Sequence, residues 1–374
     1  MRSLPPESVH CCVTSPPYWN LRDYGVAGQV GLEETVEDYV ESLVEAFRQV
    51  RRVLRPDGTL WLNLGDSYAG ARSFGSSTVS RRRDRSEVPR SDVRVSGLKP
   101  KDLVGVPWRV AFALRADGWW LRSDVVWSKP NPMPESVLDR PTRAHEYLFL
   151  LSKSERYYYD PDAVSEPSRT DESERYPEKA RVTGRGEQGT AAARGRDRDK
   201  SGGFPPRNVP GAEGPRRNLR SVWTVTTRPY PEAHFAVYPP ELVEPCVLAG
   251  TSAAGACPEC LAPLERVVDV TPMEIARSDR GERVGVNGRR QASGNMRSAG
   301  RRRHVDWRPT CECFGEADDP VPCVVLDPFA GSGTTGMVAT GHGREAVLID
   351  LNPDYAELMS RRIGPLLVDA GDGP

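Results

Sequence analysis

Residues 327–335 read Asp-Pro-Phe-Ala-Gly-Ser-Gly-Thr-Thr and directly follow the apolar run Val324-Val325-Leu326. This order predicts a buried strand that ends in a glycine-rich turn and continues into a helix. Such a turn places backbone N–H groups and the positive end of a helix dipole beside a ligand. Asp350 ends the next apolar run, where its carboxylate can accept hydrogen bonds from both hydroxyls of a ribose. The stretch predicts a nucleoside site in an α/β fold.

The glycine spacing alone leaves the ligand undecided. Gly331, Gly333 and Gly336 match the G-x-G-x-x-G pattern of dinucleotide loops, so a nicotinamide cofactor stays open on spacing. A Walker loop would need a lysine after its last glycine, and Thr334 follows Gly333 here. Phosphate binding of that kind is therefore disfavoured, and the residues ahead of the glycines decide between the other ligands.

A second motif lies near the other end of the chain. Residues 14–19 read Thr-Ser-Pro-Pro-Tyr-Trp and follow the apolar run 9–13, which predicts a strand that ends in a loop. The two motifs together resemble the cofactor loop and the catalytic loop of S-adenosylmethionine-dependent DNA amino-methyltransferases. Their order, catalysis before cofactor, is that of the β group of this family. The resemblance implies a Rossmann-like class I methyltransferase sheet with a circularly permuted motif order.

The resemblance also implies which residues hold the cofactor. Asp-Pro-Phe ahead of the glycines is typical of a methyltransferase loop, which selects S-adenosylmethionine over a nicotinamide cofactor. The segment 234–245 resembles the family's cover over the methionine part of the cofactor, although packing at a helix start is the alternative. The predicted cofactor contacts are Asp327, Phe329, Gly331, Gly333, Thr334, Asp350 and, in the cover, Phe235.

The first motif suits methyl transfer to an exocyclic amino group. Such a group is a poor nucleophile because its lone pair is delocalised into the ring, and acceptors aimed at its hydrogens localise that pair. Ser15 Oγ and the carbonyl of Pro16 are suitable acceptors, and Pro16 and Pro17 fix the backbone that presents them. Tyr18 can stack on the base, which has to leave the duplex to be reached. The resulting prediction is direct in-line transfer without a covalent intermediate.

Ser15 also bears on which base is modified. Serine at this position resembles cytosine-N4 methyltransferases, whereas adenine-N6 members more often carry Asp or Asn, and exceptions exist in both groups. The sequence predicts a site-specific cytosine-N4 methyltransferase of a restriction-modification or phage self-protection setting. Adenine-N6 methylation is the first alternative, and a catalytically weak DNA-binding protein is the second.

Further polar residues follow the predicted strands on the catalytic side of the sheet. In related proteins such positions line the catalytic side, and a purely structural role is the alternative for each of them. These candidates are Asp66, Asn131, Arg143, His145 and Glu146.

Apolar periodicity divides the 374 residues into one core domain with insertions. The predicted helices are 34–55, 106–116, 239–249, 334–340 and 355–363, and the predicted strands are 9–14, 59–64, 119–127, 145–152, 324–326 and 346–350. Residues 1–162 form the catalytic half with a basic loop at 71–100, and residues 221–252 and 323–374 form the cofactor half. The region 163–220 is predicted to recognise the target together with that loop, and 253–322 is an inserted cysteine-containing module.

The charge distribution points to double-stranded DNA as the partner. The formal net charge is −1, so a positive field has to be local. The stretches 81–101, 168–220 and 270–303 are basic, the last with nine Lys or Arg against three acidic residues. They are interpreted as solvated insertions, as phosphate contacts, or as both. No run of 18 apolar residues occurs, so the sequence predicts a cytoplasmic protein without a membrane partner, either a monomer or a homodimer.

Four of the eight cysteines bracket the third basic stretch. Cys257 and Cys260 form a C-x2-C pair, which is a strong zinc half-site, and Cys311 and Cys313 supply a less usual C-x-C half. The spacing predicts a small structural zinc ribbon, with His304 or Cys323 as substitutes for one ligand. Unligated reduced thiols are the alternative. Cys11, Cys12 and Cys246 lie on apolar runs and are expected in the core.

One element of the family is not found in the sequence. Relatives usually carry another strand, with an acidic residue against the cofactor adenine, just ahead of the catalytic strand. Met1 lies only a few residues before the catalytic strand here. The expectation is therefore that the natural start lies further upstream or that cofactor affinity is reduced.

Overall fold

The computed structural model describes residues 1–69, 97–167, 216–227, 237–271, 301–315 and 318–364. The basic loop 71–100 and the region 163–220 thus lie mostly outside the described residues, as does Phe235. In chain order the elements are β1 Val9–Thr14, α1 Val36–Val53, β2 Leu54–Leu64, α2 Val106–Ala116, β3 Trp120–Ser128, β4 His145–Ser152, β5 Glu166–Pro167, β6 Arg216–Arg217, β7 Val222–Thr224, α3 Pro240–Gly250, β8 Glu265–Thr271, β9 Arg301–Arg308, β10 Val324–Asp327, α4 Thr334–Gly341, β11 Glu345–Leu348 and α5 Asp354–Ile363.

Seven strands form one sheet in the order β11-β10-β1-β2-β4-β3-β7. Only β4 runs against its neighbours, and the other adjacent pairs are parallel. The predicted α/β sheet is confirmed. Strands from the two ends of the chain are neighbours in it, because Cys12 of β1 pairs with Leu326 of β10. The loops that follow β1 and β10 are therefore neighbours, although more than three hundred residues separate them in the sequence.

The start of helix α1 can be recognised from the sequence, but its end cannot. Thr35 caps the start, because its side chain accepts a hydrogen bond from the Asp38 N–H. The predicted helical face extends to Leu54, which is wrong. Leu54 has extended backbone angles and pairs with Val9 in the sheet. Pro56 explains the early end, since a proline disfavours helical conformation in the residue before it and leaves no room for another turn.

Helices cover both faces of the sheet. On one face α1 and α2 bury Leu43, Phe47 and Leu114 against β2 and β4. On the other, α3 and α4 bury Val243 and Val338. Cys11, Cys12 and Cys246 are fully buried, as expected. The sheet is thus the middle layer of three, and its edges are the open surfaces.

Gly250, the last residue of α3, allows that helix to approach the sheet closely. A Cβ atom at this position would lie 2.6 Å from Cys11 Sγ and 2.9 Å from Thr59 Oγ1. We expect Gly250→Ala to lower the free energy of unfolding by about 1–3 kcal/mol, as measured by urea denaturation, because overpacking forces the helix away. Gly341→Ala is the control, since no described atom lies within 4 Å of its added Cβ. Equal stability of the two variants would contradict this packing.

The inserted module contains an element that the sequence did not predict. Strands β8 and β9 form a separate antiparallel hairpin, with Glu265 opposite Arg308 and Thr271 opposite Arg301. Residues 252–264 and 318–323 join it to the core, where Ala256 bridges to Val321. Within the described ranges, no strand pairs with the outer side of β11. None of the described helices is long and apolar enough to cross a membrane.

His10 lies at the amino end of β1, beneath the inserted module. Its Nε2 donates to Leu261 O at 2.8 Å, and its Nδ1 accepts from the Val324 N–H at 3.0 Å. Only the neutral ring can make both bonds. Burial accordingly lowers the pKa of His10 from 6.5 to about 4; the Arg55 charge adds to this effect, while the hydrogen bond to Leu261 and the Asp57 charge oppose it.

This buried histidine predicts an acid-dependent loss of stability. The unfolded chain binds a proton at His10 below about pH 6.5, whereas the folded chain does so only near pH 4. The free energy of unfolding should therefore fall by about 3 kcal/mol as the pH drops across this window. Denaturation at several pH values measures it. In His10→Gln that part of the pH dependence should vanish, and an unchanged slope would show that another group causes it.

Candidate active site

The two sequence motifs meet at the carboxyl edge of the parallel strands. Ser15 follows β1, Asp66 follows β2, and the glycine-rich loop follows β10. Because the carboxyl ends of parallel strands lie at one edge, these residues face the same crevice. Thr14 Oγ1 donates a 2.6 Å hydrogen bond to Asp327 Oδ1 and joins the two motifs directly.

Asp327 supports the loop from below. It is fully buried, and it accepts hydrogen bonds from the hydroxyls of Thr14, Thr335 and Tyr238 and from the Phe329 N–H. Burial raises the pKa of Asp327, while the three hydroxyl donors pull it down. Because Asp327 is fully buried and its carboxylate bonds to four groups of the protein, it shapes the loop from within.

Two of the predicted cofactor contacts also point into the protein. The Phe329 ring packs edge-on against Phe47 of α1, with ring centroids 6.4 Å apart. The Thr334 hydroxyl accepts a 2.9 Å hydrogen bond from Arg362 Nη1, which also contacts Ser332 Oγ at 2.7 Å. Arg362, on α5, thus braces the glycine-rich loop from the outside, a role that the sequence did not reveal.

The three glycines have different surroundings. Gly331 and Gly333 both have positive φ angles, of 50° and 76°, which favour glycine. A Cβ at Gly333 would meet Met359 at 2.8 Å, and one at Gly336 would meet Leu348 at 2.6 Å. At Gly331 no described atom lies within 4 Å of the added carbon. Gly331 is therefore the position where the backbone is open to a ligand.

Asp350 lies beside this opening, two residues after β11. Its Oδ2 accepts from the Gly331 N–H at 2.7 Å and its Oδ1 from the Asn352 N–H at 2.9 Å. Burial raises the pKa of Asp350. Tyr24 and Tyr355 lie near enough for the Asp350 charge to add to the burial that raises their own pKa values, to about 12 for Tyr355. The loop after the first motif thus lies near Asp350.

The Ser-Pro-Pro-Tyr turn is held by a hydrogen-bond network. Ser15 Oγ donates to Asn63 Oδ1 at 3.3 Å, and the Tyr18 hydroxyl donates to the same oxygen at 3.0 Å and to Glu146 Oε2 at 2.7 Å. Asn63 in turn donates to Glu146 Oε2 at 3.4 Å. Burial and the Glu146 charge raise the pKa of Tyr18, so its phenol stays protonated.

Further contacts fix the position of this network. Lys129 forms an ion pair with Glu146, and its Nζ lies 4.2 Å from the centre of the Trp127 ring. The Tyr39 hydroxyl donates to the carbonyl of Pro17 at 2.9 Å. A Cβ at Gly65 would lie 2.4 Å from the Tyr18 ring, so the ring lies flush on this glycine. The sequence did not identify Asn63, Lys129 or Gly65.

The remaining polar candidates differ in what they contact. Asp66 accepts from the Val106 N–H at the start of α2 and pairs with Arg143 at 3.3 Å. Arg143 Nη1 is buried and has no hydrogen-bond partner among the described residues. Asn131 bonds to the backbone of Thr227, and the His145 ring packs edge-on against Tyr147. Of the five candidates, Glu146 is the one that joins the Ser15 network.

The predicted metal ligands come together away from this crevice. The sulfur atoms of Cys257, Cys260, Cys311 and Cys313 all lie within 4.8 Å of one another. His304 and Cys323, the predicted substitutes, are not part of this group; His304 lies on β9 against Trp307, and Cys323 is buried ahead of β10.

The sheet, the glycine-rich loop and the buried Thr14–Asp327 bond define a class of protein, an α/β methyltransferase whose catalytic motif precedes its cofactor motif. The chain belongs to the N6/N4 methyltransferase family, whose model, described as DNA methylase, matches residues 9–256 and 323–361. The protein is therefore a DNA amino-methyltransferase, and S-adenosylmethionine is the cofactor of this family. Residues 257–322, which the family model passes over, contain the cysteine group and the hairpin.

Curated relatives match over nearly the whole chain. The Type II methyltransferase M.Cfr9I of Citrobacter freundii is 38% identical over 97% of this chain and 84% of its own length. The Type II methyltransferase M.SmaI of Serratia marcescens is 37% identical over 97% of this chain and 87% of its own length. A third match is much shorter. The DNA adenine methyltransferase YhdJ of Escherichia coli K12 is 50% identical over 40 residues, which cover 11% of this chain and 14% of its own length.

Solved structures match this chain with lower sequence identity. The PvuII DNA methyltransferase, described as cytosine-N4-specific, has 15% identity and a TM-score of 0.49, covering 100% of this chain and 84% of that one. The complex of M1.HpyAVI with S-adenosylmethionine has 13% identity and a TM-score of 0.42, covering 97% and 91% respectively.

Proposed function

We propose that this protein transfers a methyl group from S-adenosylmethionine to the N4 amino group of cytosine in double-stranded DNA. The observation that carries the proposal is the Ser15 network, which the 2.6 Å bond from Thr14 to Asp327 joins to the glycine-rich loop. Similarity to Type II methyltransferases supports a modification role in a restriction-modification system, and a cytoplasmic location follows from that role.

The residues divide the reaction between them. Ser15 Oγ and the Pro16 carbonyl accept the amino hydrogens of the base and localise its lone pair. Glu146, Asn63 and the Tyr18 hydroxyl hold the turn, because their hydrogen bonds converge on Asn63 Oδ1 and Glu146 Oε2. Bound S-adenosylmethionine would supply an activated methyl group for direct in-line transfer to this amino nitrogen, and the amino proton would pass to solvent or to an acceptor in the turn.

The cofactor is proposed to lie over the glycine-rich loop. Gly331 offers the open backbone, and Asp350 beside it offers a carboxylate to the ribose. Tyr24 and Tyr355, whose pKa values the nearby Asp350 charge helps to raise, are proposed to supply aromatic surface on the same side. In this arrangement Phe329, Thr334 and Asp327 shape the loop from within.

Duplex DNA requires that the target base leave the stack. The segment 129–144 between β3 and β4 borders the same edge, since Lys129 and Arg143 in it contact Glu146 and Asp66. It exposes two apolar side chains almost completely, Met133 at 84% and Leu138 at 104%. Apolar side chains of this kind can fill the space that a flipped base leaves behind. The basic stretches 81–101, 168–220 and 270–303 are proposed to neutralise phosphates around it.

Single-molecule sequencing of DNA from cells that express the protein tests the proposal. We expect N4-methylcytosine at one short recognition sequence and at no other cytosines. Adenine methylation at such a sequence would establish the N6 alternative instead. Unmodified DNA, together with retained DNA binding by the purified protein, would favour the non-catalytic alternative.

A further inference from the structure

The four cysteine sulfurs of the inserted module have the spacing of a metal centre. All four lie within 4.8 Å of one another, and the Cys257 and Cys313 sulfurs are 3.6 Å apart. A tetrahedral zinc ion with Zn–S bonds of about 2.3 Å holds its sulfurs about 3.8 Å apart. A disulfide would bring two of them to about 2.05 Å, and all eight cysteines of the chain are free thiols. The four sulfurs therefore lie close enough together to surround one zinc ion.

Backbone N–H groups are directed at these sulfurs. The backbone N–H groups of Glu259 and Cys260 lie near the Cys257 sulfur, and that of Phe314 lies near the Cys311 sulfur. Four thiolates and one divalent cation carry a net charge of −2, so such donors stabilise the loaded site. Leu261, directly after Cys260, adopts a φ of 59°, in the left-handed region. This costly conformation persists because the surroundings hold the turn.

The core of the protein fixes the same turn from outside. Arg55 Nη1 donates to Cys260 O at 2.6 Å, and His10 Nε2 donates to Leu261 O at 2.8 Å. His10 begins β1 while Ser15 follows its end, so the cysteine group lies at the opposite edge of the sheet, roughly 16 Å away along the strand. Four sulfur ligands also leave no open coordination position. The site is therefore structural and separate from the methyl-transfer crevice.

We propose that Cys257, Cys260, Cys311 and Cys313 bind one zinc ion that closes the base of the β8–β9 hairpin. Zinc binding replaces four thiol protons, which are released to solvent. One ligand pair precedes β8 and the other follows β9, so the metal joins the two ends of residues 261–310. Joining the ends of so long an excursion removes much of its conformational entropy.

The hairpin is attached to the core by contacts that such a clamp would keep in register. Arg266 of β8 pairs with the buried Asp160 at 2.9 Å and stacks on Trp307 of β9, 4.4 Å from the ring centre. Thr310, beyond β9, donates to Pro263 O at 2.8 Å. Loss of the metal is therefore expected to loosen the hairpin while leaving the seven-stranded sheet folded.

Metal analysis of the purified full-length chain, kept reduced, tests the proposal. We expect one zinc per chain in the unaltered protein, less than 0.1 per chain in the double variant Cys257→Ser and Cys313→Ser, and one per chain in Cys323→Ala. Cys323 is the matched control because it is a neighbouring buried cysteine outside the sulfur group. Limited proteolysis should cut residues 261–310 at least tenfold faster in the double variant, with S-adenosylmethionine affinity unchanged.

Three results would overturn the proposal. These are the absence of metal from the reduced protein, full zinc content in the double variant, and stoichiometric iron in place of zinc. If the double variant fails to fold, the single variant Cys313→Ser tests the proposal in its place. Because Cys313 is exposed, this change leaves the packing intact, and it should lower zinc retention against a chelator by at least tenfold. Retention equal to that of the unaltered protein would also contradict the assignment.

Discussion

Gly331→Ala is expected to weaken S-adenosylmethionine binding by at least about 100-fold, equivalent to about 2.7 kcal/mol. Gly331 has a φ of 50°, and no described atom lies within 4 Å of a Cβ built on it. The added methyl group would therefore occupy the space that the proposed arrangement gives to the cofactor. Isothermal titration calorimetry measures the change.

Gly343→Ala separates this effect from backbone strain. Gly343 has a φ of 73° and likewise has no described atom within 4 Å of an added Cβ, but it lies in the turn between α4 and β11. Both changes should cost a similar 1–2 kcal/mol of stability for the left-handed conformation. Only Gly331→Ala should lose affinity. Equal cofactor affinity of the two variants would contradict the placement of the cofactor over Gly331.

Ser15→Ala is expected to lower kcat for DNA methylation by about 100-fold, with little change in S-adenosylmethionine affinity. The size follows from the loss of one group aimed at charge that develops in the transition state. Alanine keeps the backbone of the turn, and Tyr18 and Asn63 keep their bonds to Glu146. Single-turnover assays with labelled cofactor and duplex DNA separate the chemical step from product release.

The control for this change is Ser42→Ala, at a half-buried serine of α1. It removes a serine hydroxyl of the same chain and should leave kcat unchanged. A Ser15→Ala variant as active as Ser42→Ala would remove Ser15 from the catalytic machinery. A loss of cofactor affinity equal to the loss of rate would instead assign Ser15 to binding.

The central strands and the two motifs could be predicted from the sequence because both rest on local patterns. Continuous apolar runs mark β1 and β10, which are buried on both faces, and a polar or glycine-rich turn ends each of them. The pairing of Cys12 with Leu326, by contrast, is seen only in the structure. The predicted helix 34–55 extends two residues beyond α1 at each end, because Thr35 caps its start and Leu54 joins the sheet.

Other features depend on contacts between distant segments and leave no local signal. Arg362 reaches the glycine-rich loop from α5, and Asn63 and Lys129 join the Ser15 network from two different strand ends. Asp327 matches the family motif, yet only the structure shows that Thr14, Thr335 and Tyr238 use its oxygens. The hairpin was missed because β9 begins with three consecutive arginines, which give no alternation of apolar and polar residues.

Mass spectrometry of nucleosides from methylated DNA tests directly whether the protein methylates the N4 amino group of cytosine. Purified protein is incubated with duplex DNA and S-adenosylmethionine that carries a trideuterated methyl group, and the DNA is then digested completely. The proposed reaction predicts trideuteromethyl N4-methyldeoxycytidine as the labelled nucleoside, abolished or strongly reduced in Ser15→Ala and Gly331→Ala. Label found in N6-methyldeoxyadenosine, or no label in any nucleoside while DNA and cofactor both bind, would contradict it.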